Sequence, residues 1–358
     1  MTIDLTFWKD KKVFLTGHTG FKGGWLSVML NALGAEVMGF SLPPHEQSFF
    51  NKADVISFIN HKEGDIRDYE SLLNAEREFN SDILIHMAAQ PLVIRSYEDP
   101  VETFSTNIMG TVNVLELIRF SSSIKCGVII TTDKCYENRN LERGYKESDP
   151  MGGYDPYSSS KGGAELVINS YQRSFFSKEN YQINPKAIGS VRAGNVIGGG
   201  DYAENRLIPD FIRANQNDTK VRIRNPEATR PWQHVLEPLY GYLVVAQKLY
   251  KEGPSESDAW NFGPHEKDIR SVSEVADMFC SSWGGDIEWI KDLSSIYHET
   301  QNLSLDITKA KQTLGWTPKW DLEKTIDKVV EWYKYDFSGG NCLEISRSQI
   351  LEYIDLRS

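Results

Sequence analysis

Tyr157 and Lys161 stand four residues apart in the string Tyr157-Ser-Ser-Ser-Lys161. That spacing puts two side chains on one face of a helix. Tyrosine is a poor base, with an unperturbed pKa of about 10, but a neighbouring ammonium group favours the phenolate. Such a pair can take a proton from an alcohol. Thr131-Thr132-Asp133-Lys134 lies about one strand–helix unit earlier. The Thr132 hydroxyl could hold an alcohol against Tyr157. Nearer the N-terminus, Gly17-His-Thr-Gly20-Phe-Lys-Gly23 follows the first apolar run. A phosphate needs backbone N–H donors at a helix N-terminus with no side chains in the way, and glycine meets both needs. Gly17 would make the tight turn, Gly20 the close approach to a pyrophosphate, and Gly23 the helix–strand contact. The three strings together point to nicotinamide-dependent redox chemistry on an alcohol. Each also has a plain alternative: a glycine-rich turn, a solvated Tyr/Lys pair, a β-branched strand end.

The elements that must position these groups can be read from hydrophobic period. Strands are expected over Lys11–Leu15, Glu36–Leu42, a short run ending near Gly64-Asp65-Ile66, Asp82–Ala89, Gly127–Thr132 and Lys186–Val191. Helices are expected over Phe21–Leu33, Asp68–Phe79, Pro100–Phe120 and Tyr157–Ser174, the last opened by Asp155-Pro156. This alternation gives right-handed β-α-β units, hence an α/β fold with a doubly wound parallel sheet. Active groups then belong at the carboxyl ends of the strands, where Thr132 falls. After Asn195 the rhythm changes. Helices are expected near Leu207–Asn215 and Val235–Tyr250, with short strands at Lys220–Arg224 and Trp260–Phe262. The division expected is a dinucleotide-binding domain, 1–195 plus about 236–262, and a smaller, mostly helical substrate lobe, about 196–235 and 263–358.

Bulk properties narrow the function. The chain has 358 residues and a net charge of −11, which disfavours a broad basic nucleic-acid face. Local arginines can still hold an anionic small molecule. No apolar run approaches the roughly 20 residues that span a bilayer, and no signal pattern opens the chain, so a cytoplasmic protein is expected. Cys126, Cys135, Cys280 and Cys342 have no pairing rhythm or metal-ligand spacing and read as free thiols. The second strand ends Phe40-Ser41-Leu42, with neither carboxylate nor arginine, so the usual rule separating NAD from NADP does not decide between them. Asp65, beside Ile66, could accept from an adenine or simply close a turn. His86 reads as a core histidine. Ala88 and Ala89, small residues at a strand end, would let a cofactor come close.

Gly17-x-x-Gly20-Phe-x-Gly23, Thr132-Asp133, Tyr157-x-x-x-Lys161 and Arg192-Ala-Gly-Asn195-Val together resemble the extended short-chain dehydrogenase/reductases acting on nucleotide sugars. The resemblance covers nearly the whole chain. Within that family, the string 17–25, Thr132-Asp133-Lys134 and Arg230-Pro-Trp-Gln-His-Val235 look most like the CDP-glucose branch of the 4,6-dehydratases. The resemblance implies bound and recycled NAD, a nucleoside-diphosphate sugar as substrate, and a homodimer or higher homo-oligomer. It implies a lyase supplying deoxysugars for surface polysaccharide such as lipopolysaccharide. Oxidation at C4 is followed by loss of water across C5–C6 and return of hydride to C6. It gives Thr132, Asp133, Lys134, Tyr157 and Lys161 catalytic roles. Gly17, Thr19, Gly20, Phe21, Lys22, Gly23, Asp65, Ile66, Ala88 and Ala89 would line the cofactor, with Tyr157 and Lys161. Asn195, Arg206 and Arg230 would bind substrate, Arg213 being a weaker candidate and His234 as easily a packing group.

One departure from the family pattern bears on mechanism. Related dTDP-glucose dehydratases carry Asp-Glu after the threonine, as acid and base, where this chain has Asp133-Lys134. Asp133 as acid with Lys134 as base requires a neutral amine, so the lysine pKa must fall by several units. The reverse assignment needs less perturbation, and both stay open; Glu137 is a spare candidate. Rival readings are a UDP-sugar 4-epimerase, a dehydratase for another nucleotide-glucose, and a catalytically silent NAD- or nucleotide-sensing protein.

Overall fold

Residues 4–285, 287–292 and 303–355 are described by the computed structural model. Seven strands pair in one all-parallel sheet: β1 (Lys12–Thr16), β2 (Glu36–Ser41), β3 (Asn60–Glu63), β4 (Ile83–His86), β5 (Cys126–Ile130), β6 (Ala187–Ala193) and β7 (Ala259–Phe262); all are largely apolar except β3, Asn-His-Lys-Glu at the sheet edge. Their order is β7-β6-β5-β4-β1-β2-β3. β4, β5 and β6 are buried along their whole length, as strands covered on both faces must be. The chain leaves β1 to one side and returns at β4 on the other. That reversal opens a crevice at the carboxyl ends of β1 and β4, where Thr16 pairs with His86.

The longer helices are α1 (Phe21–Ala32), α2 (Tyr69–Phe79), α3 (Gly110–Phe120), α4 (Pro156–Ser174), α5 (Leu207–Gln216), α6 (Leu236–Glu252), α7 (Val272–Trp283), α8 (Leu322–Phe337) and α9 (Cys342–Asp355), of which α1, α2, α3, α4 and α6 pack on the sheet. α1 is buried continuously from Gly23 to Leu30, because the sheet lies on one side and α9 on the other. α6 packs on β5 and β6. Among the described residues there are also three two-stranded ribbons: Val196–Ile197 with Gln233–His234, Thr229–Pro231 with Ile269–Ser271, and Val221–Ile223 with Trp289–Lys291. No helix among the described residues is long and apolar enough to cross a membrane. All four cysteines are free, and Cys126, Cys135 and Cys342 are buried.

The structure departs from periodicity at three places that matter for the site. β4 ends at His86 rather than Ala89, because Met87 and Ala88 turn their N–H groups onto the Thr16 hydroxyl (3.1 and 3.2 Å). β5 stops at Ile130, where Thr132 caps a short turn by accepting from the Lys134 N–H. The helix expected over Pro100–Phe120 carries a wide π-type turn at Ser105–Met109. There Asn107 turns inward to bond Gln90 and Ser160, a common use of such turns.

His86 is a core residue, held between Thr16 (2.7 Å) and Thr111 (3.3 Å). Burial pushes its pKa down to about 3, and does the same to His18 and His234. An unfolded histidine takes up its proton near pH 6.5, so the stability these neutral rings contribute is intact above that value. It is lost as pH falls from there towards about 3. Unfolding free energy, measured by chemical denaturation from pH 7 to 5, should therefore drop with acid. His86→Asn should flatten that slope by about 1.4 kcal/mol per pH unit, one proton's worth.

Candidate active site

The glycine turn has the shape a pyrophosphate needs. Gly17 has φ +80°, and a Cβ there would lie 2.6 Å from the Ala88 nitrogen. A Cβ on Gly23 would lie 2.1 Å from the Gly17 carbonyl oxygen. Gly20 is different: it is exposed, caps α1 without a side chain, and has only the Gly17 oxygen within reach, at 3.4 Å. The turn is closed where it meets protein and open at the helix N-terminus, so these residues fit a dinucleotide. Thr19 is tied to Ser41 (2.7 Å) and to the Leu42 carbonyl (3.0 Å), which binds the turn to the end of β2. Phe21 leans on Gly198. The Asp65 carboxylate is taken by Arg67 at 2.5 Å, the ordinary turn role. Ile66 packs against Gly110 on α3.

Lys22 reaches the opposite end of the cleft. Burial holds its pKa down at about 8, and the charges acting on it are Arg206, Asp133, Lys161 and Asp201. It therefore belongs with the chemical groups as much as with the glycine turn.

The Asp155 side chain caps α4, accepting from the Ser158 N–H and hydroxyl (2.9 and 2.7 Å), with Pro156 in the first turn. This fixes Tyr157, Lys161 and Glu165 on one buried stripe. Burial pushes the Tyr157 phenol up to about 12; a hydrogen bond with Thr132 and the charge of Arg206 act against that rise. Lys161 donates to the Ile130 carbonyl (3.4 Å). Burial brings its pKa down to about 8, against the pull of Glu165 and Cys135. The leading cation on the phenol in this geometry is thus Arg206, where the spacing alone suggested Lys161.

Asp133 is 3% exposed. Its Oδ1 accepts from the Thr132 hydroxyl (2.9 Å), and its Oδ2 is buried with no hydrogen-bond partner. Burial raises its pKa, opposed by Lys134, Thr132, Arg230 and Lys22. A carboxyl in that state keeps its proton longer than an ordinary one, which suits an acid. Lys134 sits one residue on, in the same capped turn. Glu137 is exposed and paired with Arg139 at 2.6 Å, facing away from this chemistry.

Among the substrate candidates, Arg206 is held by Asp201 at 2.8 Å and acts on Tyr157 and Lys22. Arg230 lies on the Thr229–Pro231 ribbon and acts on Asp133. The Asn195 carbonyl accepts from the Gln233 N–H (3.0 Å) at the exit of β6. Arg213 is spent on the loop carbonyls of Tyr202 and Ala203 and on Asp210, a structural use. His234 is a packing group between Trp25 and Trp320, its Nδ1 accepting from the Leu236 N–H.

Two buried polar residues, Asn107 and Glu165, were not singled out from sequence, and Arg192 was named only as part of a motif. Asn107 joins the Gln90 backbone to the Ser160 hydroxyl. Glu165 and Arg192 form a buried ion pair at 2.7 Å. A signal existed for two of them: polar residues at helical spacing in apolar stretches, Thr103-Asn107-Thr111 and Tyr157-Lys161-Glu165.

Residues 14–329 match the model of a family described as GDP-mannose 4,6 dehydratase. A CDP-glucose 4,6-dehydratase of Salmonella typhimurium is 50% identical over 353 residues, 98% of each chain. A dTDP-D-glucose 4,6-dehydratase of Homo sapiens is 27% identical over 337 residues, 91% of each. A dTDP-glucose 4,6-dehydratase of Bacillus anthracis, solved in complex with NAD, superposes with TM-score 0.74 at 22% identity, covering 93% of this chain and 99% of that one. With the family model matched along most of the chain and half the residues shared with one relative over nearly its whole length, the protein belongs to the GDP-mannose 4,6 dehydratase family, within the extended short-chain dehydrogenase/reductases.

Proposed function

We propose that the protein is a hydro-lyase that converts CDP-D-glucose to CDP-4-dehydro-6-deoxy-D-glucose. The 50% identity to the Salmonella enzyme, along 98% of both chains, carries this reading. NAD, when bound, would supply the hydride acceptor for C4 and the donor for C6, so no net oxidation would result. Gly17, Gly20 and Gly23 would hold its pyrophosphate, with Ala88 and Ala89 beside it. Residues 1–195 with about 236–262 would form the cofactor half, and about 196–235 with 263–358 the sugar-nucleotide half. This division is supported by α6 packing on the sheet and by β7 joining it.

The residues then divide the proton work. Thr132 and Tyr157 hold O4, and Tyr157 would accept its proton as phenolate, a form that burial opposes and that the Thr132 hydrogen bond and the Arg206 charge favour. The ketone formed at C4 acidifies C5–H. Asp133, whose carboxyl burial shifts towards holding its proton, would be the acid at O6 as water leaves; Lys134, as a neutral amine, would take the C5 proton and return it to C5 when hydride reaches C6. Arg206, Arg230 and Asn195 hold the diphosphate. Even with Lys134 neutral, a cleft bearing Lys22, Lys161, Arg206 and Arg230 is locally cationic in an acidic protein, as a dianionic substrate requires. This chemistry on a water-soluble metabolite fits a cytoplasmic enzyme of deoxysugar supply.

The chain would act as a homodimer. Val101 and Leu166 are 78% and 63% exposed on packed neighbouring helices, and Met109 and Phe104 extend the same apolar face. Contiguous apolar surface of this kind favours a second copy.

Three outcomes are expected. Purified protein with NAD should turn over CDP-glucose to a 4-keto sugar, scored by its alkali-induced chromophore, faster than dTDP- or UDP-glucose; preference for another nucleotide would move the substrate assignment. Asp133→Asn should lose about 10²–10⁴-fold in turnover while reduced nicotinamide still accumulates, because only elimination is blocked. Leu166→Asp should convert the dimer to monomer in sedimentation velocity, and an unchanged sedimentation coefficient would place the interface elsewhere.

A further inference from the structure

Behind Tyr157 and Lys161 lies a buried charged network that touches neither the glycine turn nor the substrate candidates. Glu165, one turn beyond Lys161, is 4% exposed, as is Arg192. Its carboxylate accepts from the Thr131 hydroxyl, the Ser190 hydroxyl (2.9 Å) and the Arg192 guanidinium (2.7 Å). Arg192 donates in turn to the Tyr136 hydroxyl (2.7 Å) and the Glu147 carbonyl (3.1 Å). The Tyr136 hydroxyl donates to Asn261 Oδ1 on β7 (2.8 Å). The network therefore grips the Thr132-Asp133-Lys134 turn from both ends. Thr131 precedes it and Tyr136 follows it. The remaining anchors are α4, β6 and β7.

We propose that Glu165 and Arg192 are a charge-balanced positioning pair for catalysis: they hold that turn in register with the Tyr157–Lys161 stripe and set the local charge that keeps Lys161 cationic. Two charges taken from water are a poor way to gain stability, since an apolar pair of similar volume is often as good. A role in aligning and tuning neighbouring groups accounts for a buried ion pair at this place. The other titratable groups facing the pair and Lys161 are Cys135, Asp133 and Tyr136 from the turn and Glu147 from the following loop. His86 faces them from β4, Lys22 from α1 and Tyr157 from α4 itself. Glu165 is the main charge supporting the Lys161 ammonium.

The inference rests on the dehydratase reading, which turnover of CDP-glucose by the parent protein tests first and separately. Rate against pH is then measured for variants whose folding is confirmed by near-ultraviolet circular dichroism. Glu165→Gln keeps bonds to Thr131 and Ser190 but leaves the positive partner, so both limbs of the profile should move to lower pH by about half a unit or more. Arg192→Met should move them to higher pH. Arg192→Lys keeps the charge but loses the fork, so its limbs should stay while the rate falls roughly tenfold or more. The neutral Glu165→Gln/Arg192→Met double variant should return the limbs to the parent position. Lowered rates with unmoved limbs in both single variants would overturn the proposal. Either single variant decides alone if the other does not fold. Failure of both, beside an active double variant, would assign the pair to stability and also overturn it.

Discussion

Burial of ionisable groups at one edge of a parallel sheet is the constraint on which this molecule is built. Tyr157, Lys161, Asp133, Glu165 and Arg192 are each less than a tenth exposed. A charge removed from water must find a partner or give up its ionisation. The site contains both answers. Glu165 and Arg192 neutralise one another, and Asp133 is drawn towards its protonated form. Lys161 lies between these limits, lowered by burial and supported by Glu165. Asp133 and Lys161 are in this way brought closer to exchanging protons near neutral pH, while burial moves the Tyr157 phenol the other way and leaves it to the Thr132 hydrogen bond and the Arg206 charge to oppose that rise.

The surrounding fold serves this placement through small devices. Asp155 sets where α4 begins, and so which of its residues face the sheet. Thr16 ties the end of β1 to the backbone beyond β4, closing the floor of the cleft under Ala88. Asn107, presented by a wide turn in its helix, fastens that helix to both Gln90 and α4. Each device uses a polar group for alignment, and the turn offered to a pyrophosphate is left to glycine with Ala88 beside it.

Much of this was legible in the sequence, for physical reasons. Strands buried on both faces are continuous apolar runs, and a phosphate turn cannot tolerate side chains, so β1, the glycine turn and α1 stood out. Tyr157 and Lys161 were visible because i, i+4 spacing is a property of any helix. What spacing could not supply was which groups meet across elements. Arg192 looked like part of a substrate motif and proves to be the partner of a glutamate on another element. Arg213 and Arg206 were indistinguishable by type; one holds loop carbonyls, the other faces the phenol. The spare candidate Glu137 is turned to solvent by the very turn that buries Asp133. The π-type turn at Ser105–Met109 has no periodic signature, since both flanks read as one helix.

The last strand of the sheet has a consequence for biosynthesis. β7 begins at Ala259, yet its Asn261 receives the Tyr136 hydroxyl and bonds the Tyr145 carbonyl (2.8 Å), groups more than a hundred residues upstream. On the ribosome, the segment bearing Asp133 and Lys134 is therefore made long before its final anchor exists. The nascent chain must carry an unfinished sheet edge until about residue 262 has cleared the exit tunnel, and the enzyme's chemistry is assembled late in translation rather than as its first half emerges.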